Sequence, residues 1–327
     1  MTQIKESWKA KGYVDEPIPA GTDLKAEIRR LCKEKNAVIM AHYYTEGVVQ
    51  DIADFVGDSL ALAQKAAQTD ADIIVMCGVH FMGETNKILC PDKLVLIPDL
   101  NATCSLAESC PADKFAEFVK AHPDQKVISY VNTSAATKAV TDVVVTSTNA
   151  RQIVESFPKD QPLIFGPDRN LGGYINSTSE SGMNLWNGYC VVHREITSYV
   201  VRRRLAEFPE ADILIHPESK CSCDPEILEN PRCFFYSTSG IINHVGKSDK
   251  KQFVIATECG VLHKLKQAYP DREFIPICES AVCHDMKKVT LETLYYALKN
   301  EQHVITVPKD IADKAVVSIQ RMMDLCK

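Results

Sequence analysis

The sequence predicts an α/β protein built from three similar units, each a parallel sheet with flanking helices. Two observations carry that expectation. Apolar, β-branched runs alternate with amphipathic segments along the chain, and one strand–turn–helix pattern returns about every 90 residues. In chain order the strand candidates are AVIMAHYY (37–44), ADIIVMCGVHF (71–81), KLVLIPDL (93–100), KVISYVN (126–132), TDVVVTS (141–147), PLIFGPD (162–168), ADILIHPE (211–218), RCFFYST (232–238) and QFVIATE (252–258). Helical patterns such as DSLALAQKAAQ (58–68) and VLHKLKQAY (261–269) separate them, as crossovers in parallel sheets require. The expected domains are 1–112, with the C-terminal segment 303–327 packing back on it, then 113–202 and 203–302.

Composition bounds what such a protein can do. The chain has 327 residues, 37 Lys+Arg against 43 Asp+Glu for a net charge of −6, and 45% hydrophobic residues, which is a globular composition. The basic clustering of a nucleic-acid surface is missing beyond Arg202-Arg203-Arg204, so no nucleic-acid partner is expected. No apolar stretch approaches the roughly 18–20 residues that span a bilayer, and the start of the chain lacks an apolar signal-type core. The expectation is a cytoplasmic protein with no membrane partner. Its 13 cysteines are too few for a disulfide scaffold, and reduced thiols point to metal or redox chemistry.

The repeat locates the chemistry. ADFVGDS (53–59), TDVVVTS (141–147) and RCFFYST (232–238) each end an apolar run in small hydroxyl residues ahead of a helix. His42 and Tyr130 stand 17 residues before Ser59 and Ser147, and His216 stands 22 before Thr238. Two residues after these come Tyr44, Asn132 and Glu218. Downstream, Cys104, Cys190 and Cys283 follow at intervals of 45, 43 and 45 residues. Packed around a pseudo-threefold axis, such units would bring equivalent strand ends, helix starts and thiols to one central site, at the carboxyl ends of the strands where α/β proteins bind ligands.

Each group has a chemical use there. Three thiolates far apart in sequence suit a soft-ligand metal centre, either zinc or an iron–sulfur cluster, and none has the close CxxC partner usual for structural zinc. A cluster on three cysteines keeps one iron open as a Lewis acid. The turns at Gly57-Asp58-Ser59, Thr146-Ser147-Thr148 and Ser237-Thr238-Ser239-Gly240 read as helix N-caps, and three such helix starts together would bind a multiply charged anion. His42, Tyr44, Tyr130, Asn132, His193, His216 and Glu218 supply proton donors and acceptors. Burial of Glu218 beside His216 is expected to raise its pKa toward the range of a general base, with Tyr44 relaying the proton. Cys32, Cys77, Cys90, Cys259, Cys278 and Cys326 read as core residues. Cys110 is a candidate redox partner of Cys104, and Cys221, Cys223 and Cys233 make a poorly spaced candidate for a second metal or a disulfide.

Ten ordered motifs resemble the quinolinate synthase family over about residues 24 to 326: AHYYTEGVVQDIADFVGDSLALA (41–63), ATCSLAESC (102–110), SYVNTSAATKA (129–139), VVVTSTNA (143–150), GPDRNLGGYI (166–175), NGYCVVH (187–193), LIHPE (214–218), YSTSGII (236–242), IATECGVLHKL (255–265) and CHDMKKVTLETLY (283–295). The resemblance implies a 4Fe-4S cluster held by Cys104, Cys190 and Cys283. It also implies condensation of iminoaspartate with dihydroxyacetone phosphate, losing phosphate and water, to give quinolinate for NAD biosynthesis. The family pattern gives proton transfer to Glu218 and Tyr44, assisted by His42, Tyr130 and His216. Ser59, Ser147 and Thr238 would bind anionic groups, Asn132 would hydrogen-bond the substrate, and His193 would stand beside a cluster cysteine. A functional link to aspartate oxidase, as a source of iminoaspartate, is implied by the pathway alone. The stretch 218–233 departs from the repeat by five extra residues, and Cys278 competes with Cys283, for which the CHDMK context decides. Rival readings are a non-enzymatic iron–sulfur sensor and a sugar-phosphate isomerase with structural thiols.

Overall fold

The computed structural model describes residues 16–325, so residues 1–15, part of the start read for a targeting signal, and Cys326 lie outside the described residues. Continuous apolar runs form strands covered on both faces, as parallel sheets demand. Every residue of Ile73–Cys77, Leu163–Gly166 and Asp212–Ile215 is buried.

Three four-stranded sheets result. The first contains β1 (Ala37–His42), β2 (Phe55–Gly57), β3 (Ile73–Cys77) and β4 (Leu94–Leu96), in the order β2-β1-β3-β4. The second contains β5 (Lys126–Tyr130), β6 (Val143–Val145), β7 (Leu163–Gly166) and β8 (Asn184–Leu185), in the order β6-β5-β7-β8. The third contains β9 (Asp212–Ile215), β10 (Cys233–Phe235), β11 (Gln252–Ala256) and β12 (Glu273–Pro276), in the order β10-β9-β11-β12. All pairings are parallel, and each sheet repeats one topology.

The chain divides into two compact units. One holds the chain up to Thr103 together with His284–Val307; the other holds Cys104–Cys283 and the chain from Pro308. The second and third sheets therefore share one unit. In the first, Ile305 N donates to Val95 O at 2.8 Å, and the helix Leu291–Asn300 lies against the helix Leu24–Glu34. Within the segment 303–327, residues 303–307 belong to the first unit and the described chain from Pro308 to the second. Its last helix, Lys309–Asp324, covers β6 and the helix Ala135–Lys138 of the second unit with a buried face of Ala315, Ser318, Ile319 and Met322. The break falls at Pro308, the N-cap of that helix.

A further repeat concerns the loops that carry Cys104, Cys190 and Cys283. After the third strand of each sheet, a backbone N–H donates to the residue two before the cysteine: His80 to Ala102 at 2.9 Å, Arg169 to Gly188 at 2.8 Å and Cys259 to Ala281 at 2.8 Å. A Cβ at Gly188 would come too close to the Ser109 hydroxyl, which would have to swing away. No described helix is long and apolar enough to cross a membrane.

Candidate metal and acid–base centre

The first strand of each sheet ends in a tight turn that presents polar side chains. In the first unit Thr45 Oγ1 donates to His42 O at 2.9 Å, and Tyr44 N donates to His42 Nδ1 at 3.1 Å. Gln50 Nε2 braces this turn by donating to Tyr43 O at 2.8 Å and Thr45 O at 3.0 Å. In the second sheet Thr133 Oγ1 donates to Tyr130 O at 2.9 Å, and the fully buried Lys138 donates to Val131 O at 2.8 Å and also to Thr133 O. Gln50 and Lys138 each stand six residues after the presented side chain, Tyr44 or Asn132. In the third sheet Glu218 N donates to His216 Nδ1 at 3.4 Å, and Asn170 Nδ2 braces the turn by donating to Glu218 O at 2.9 Å.

Within the second unit these turns build a buried polar cluster around Glu218, which is 4% exposed. Tyr130 donates its hydroxyl to Glu218 Oε1 at 2.5 Å, and His193 Nδ1 lies 3.2 Å from Glu218 Oε2. The same His193 nitrogen lies 3.2 Å from Cys190 Sγ, while its Nε2 meets Thr257 Oγ1 at 2.9 Å. His216 Nδ1 stands 3.8 Å from Glu218 Oε1, and its Nε2 reaches Ser147 Oγ at 3.2 Å. The two imidazoles lie tilted at 34° to one another with centroids 4.7 Å apart.

Charge in this cluster runs opposite to the sequence expectation for Glu218. Burial pushes its pKa upward, but His193, His216 and the Tyr130 hydroxyl together outweigh burial and hold the carboxyl down at about 2. The ionised form of Glu218 is thus favoured by its neighbours. Asp168 goes the other way: burial first, then the nearby Glu218 charge, raise it to about 7 against three backbone hydrogen bonds.

The three candidate thiols all belong to the second unit, and each is half-buried. Burial pushes Cys104 up to about 12, opposed by the backbone at Ala107 and Leu106 and reinforced by Cys283 and Glu218. Burial, then Glu218, raise Cys190 well above the ordinary thiol range, with Cys104 and Asp168 adding to it. Cys104 therefore lies within electrostatic reach of Cys190, Cys283 and Glu218, and Cys190 within reach of Glu218. Two buried carboxylates hold the loops that carry them. Asp168 Oδ2 accepts from Cys190 N at 2.9 Å, and Glu258 Oε1 accepts from Cys283 N at 3.1 Å.

The donor set bears on which metal fits. A single tetrahedral ion with metal–sulfur bonds of about 2.3 Å would draw its sulfurs to within roughly 3.8 Å of each other. Among the described residues, the group whose ligand atoms all lie within 4.8 Å is Cys190, His193 and Glu218, and the three thiols are not such a group. Three soft donors, two of them within electrostatic reach of the third and not gathered tightly enough for one ion, fit a multi-iron cluster.

The structure thus gathers Tyr130, Ser147, Cys190, His193, His216 and Glu218 by direct contacts. Asn132 stands in the turn braced by Lys138. Thr238 is buried at the start of the helix Thr238–Lys247, whose cap is Ser237 accepting from Gly240 N at 3.2 Å. Thr148 Oγ1 donates to Ser237 Oγ at 2.9 Å, joining these hydroxyl turns. His42, Tyr44 and Ser59 belong to the first unit, where Asp58 caps the helix Ser59–Gln68 by accepting from Ala61 N at 3.0 Å. Ser147 is not a helix cap. The next helix, Ala150–Glu155, starts after Asn149, whose Oδ1 accepts from Thr146 N at 2.7 Å, which leaves Ser147 to face His216. No disulfide joins the described cysteines; Cys110, Cys221 and Cys233 are buried and Cys223 is exposed. Sequence reasoning missed Gln50, Lys138, Asp168, Thr257 and Glu258. A signal existed for two of them, since Asp168 and Glu258 both stand two residues past the third strand of their sheet.

Fold and site define a class: an enzyme of parallel α/β architecture with a candidate metal centre at the carboxyl ends of its strands. The family model described as quinolinate synthetase A protein (NadA) matches residues 26–324. The quinolinate synthase of Gloeothece citriformis is 46% identical over 310 residues, covering 93% of this chain and 94% of that one. The quinolinate synthase of Synechocystis sp. is 47% identical over 306 residues (92% and 95%), and that of Nostoc punctiforme 48% over 308 residues (93% and 94%). The chain belongs to the quinolinate synthase family.

Proposed function

We propose that this protein condenses iminoaspartate with dihydroxyacetone phosphate, with loss of phosphate and water, to form quinolinate for NAD biosynthesis, and that Cys104, Cys190 and Cys283 hold a 4Fe-4S cluster for that reaction. Family membership supports quinolinate formation. The observation that supports the cluster is that Cys104 lies within electrostatic reach of Cys190, Cys283 and Glu218, while among the described residues the three sulfurs do not form a group close enough for one ion. When bound, the cluster supplies an open iron that acts as a Lewis acid toward a substrate oxygen.

The chain's own residues do the rest. Glu218, held as a carboxylate, is the permanent anion of the site. It orients the Tyr130 hydroxyl and the His193 ring, and it stabilises positive charge that builds on His193 or His216 during proton transfer. Tyr130 and His216 carry protons to and from the substrate. The hydroxyls of Ser59, Ser147 and Thr238 and the amide of Asn132 bind the two carboxylates and the phosphate. Aspartate oxidase would be the supplier of iminoaspartate.

Anaerobic reconstitution with iron and sulfide tests this reading. About four irons and four sulfides per chain, with quinolinate formed from the two substrates, are expected. Single Cys104→Ala, Cys190→Ala and Cys283→Ala variants should each lose the cluster and the product. One metal ion per chain and no sulfide would point instead to the Cys190, His193 and Glu218 group and overturn the cluster. A loaded protein that makes no quinolinate would overturn the activity.

A further inference from the structure

A strand of a parallel sheet must end by turning into a helix whose first N–H groups lack partners, and a carboxylate at that point satisfies them. Asp168 does so after β7: its Oδ1 accepts from Asn170 N at 2.6 Å and Leu171 N at 2.9 Å. After β11, Glu258 Oε2 accepts instead from the N–H of Gly260 at 2.6 Å, the N-cap residue of the helix Val261–Ala268, so it holds the turn into that helix rather than capping it. One oxygen is enough for this task, and in both residues the second oxygen reaches elsewhere. Asp168 Oδ2 accepts from Cys190 N at 2.9 Å, and Glu258 Oε1 from Cys283 N at 3.1 Å. Both residues are 0% exposed. Two independent loops, one in each sheet of the second unit, have thus arrived at the same two-handed use of a buried carboxylate. The corresponding position of the first sheet, two residues past β3, is Val79, so this brace is absent there.

We propose that Asp168 and Glu258 are positioning residues for the metal-binding thiols of Cys190 and Cys283, clamping each cysteine backbone to the rigid end of a strand so that its sulfur is preset for the cluster. The inference rests on the cluster assignment made above. The clamp adds to the backbone bonds at Gly188 and Ala281, so each cysteine is tied at its own amide and again two residues before it. Preset ligands lose little freedom when the cluster binds, and the gain should appear as slow cluster loss.

The test separates clamping from capping. In Asp168→Asn the remaining carbonyl oxygen can keep the helix bonds and in Glu258→Gln the turn bond from Gly260 N, while the new amide nitrogen opposes the cysteine N–H, to which it cannot act as acceptor. Asp168→Ser keeps a capping oxygen but is too short to hold Cys190 as well. Asp23→Asn, at the cap of the helix Leu24–Glu34, changes a cap remote in sequence from any cysteine loop and serves as control. Each protein is loaded anaerobically, then challenged with an excess iron chelator while cluster absorbance is followed; melting of the cluster-free proteins is recorded in parallel. Cluster loss should accelerate about 10- to 100-fold in Asp168→Asn, Asp168→Ser and Glu258→Gln, the usual cost of losing a partner behind a metal ligand, with the control unchanged. Cluster-free melting temperatures should stay close to wild type, because the helix cap at position 168 and the turn bond at position 258 survive. If a loaded wild type and folded variants lose the cluster at one rate, the clamp is refuted. If wild type takes up no cluster, the cluster assignment falls and the clamp with it. Should one Asp168 variant not fold, the other and Glu258→Gln decide.

Discussion

Lys138 offers the sharpest test of how the turns that present polar side chains are held. It is fully buried, and its Nζ donates to Val131 O at 2.8 Å and to Thr133 O, the carbonyls on either side of Asn132. Lys138→Met keeps the apolar stem and removes both bonds. Val131 O retains a bond from Thr133 N at 2.8 Å, so its loss is a single net hydrogen bond, about 1 kcal/mol. Thr133 O is left without its lysine donor in a buried turn, which costs about 1–3 kcal/mol. The sum, about 2–4 kcal/mol, corresponds to a fall in melting temperature of roughly 4–16 °C for a unit of this size. Asn132 and Tyr130 also lose their fixed positions, so KM should rise through the loosened Asn132 and kcat should fall through the displaced Tyr130 hydroxyl. The first unit supplies the control, because Gln50 braces its turn with an amide from the same offset. Lys138→Gln should therefore recover part of both losses. Melting curves and steady-state kinetics on the loaded enzyme check this, and a Met variant as stable and as active as wild type, or no better behaviour from Gln than from Met, would refute the bracing argument.

Three further outcomes follow from single sites. Glu218→Gln should keep the cluster, by visible absorbance, while quinolinate formation falls about 10²- to 10⁴-fold, because a neutral amide cannot stabilise charge on His193 and His216. Burial lowers the pKa of His303, whose Nδ1 faces Pro98 O at 3.0 Å, so the folded state disfavours its charged form. Stability from this residue is full above its unfolded pKa of about 6.5 and is lost as pH falls through the lowered folded value; His303→Asn, which tolerates the φ of 63°, should flatten the melting temperature below pH 6.5. Cys110 packs with Phe115, Val127 and Ile164, and burial pushes its thiol up to about 12, so Cys110→Ala should cost only about 1 kcal/mol in denaturant unfolding and leave cluster and activity intact.

Much of the fold was legible because parallel strands advertise themselves as unbroken apolar runs. All nine runs named from the sequence contain strands, and β2 sits in the repeated segment ADFVGDS. The strands that escaped, β8 and β12, are sheet edges: Asn184–Leu185 is two residues long, and Glu273–Pro276 mixes a charge and a proline into an apolar pair. The site was legible where one residue type recurs at one interval, as with the cysteines. It was not legible where the outcome depends on several neighbours at once. Burial of Glu218 could be foreseen, but its charge is decided by His193, which is 25 residues away in sequence and 3.2 Å away in space. The supports of the turns escaped because their residue types differ from unit to unit while their hydrogen bonds are the same.

That divergence has a physical reason in the third sheet. The turn before Tyr44 and the one before Asn132 are braced from within, by a donor six residues further along the same loop. The corresponding position after Glu218 is Asp224, an acceptor, and it is spent on capping the helix Pro225–Leu228 within the five-residue extension. The brace is replaced by Asn170, which donates to Glu218 O at 2.9 Å from the helix Arg169–Ser179 that follows β7. That helix begins at Asp168, the residue that also holds Cys190. One strand end therefore fixes both a thiol and the backbone of the carboxylate whose charge that thiol feels. A brace internal to the third loop would set Glu218 independently of Cys190; the external one makes the two move together, which a centre combining metal and proton chemistry requires more than either turn alone does.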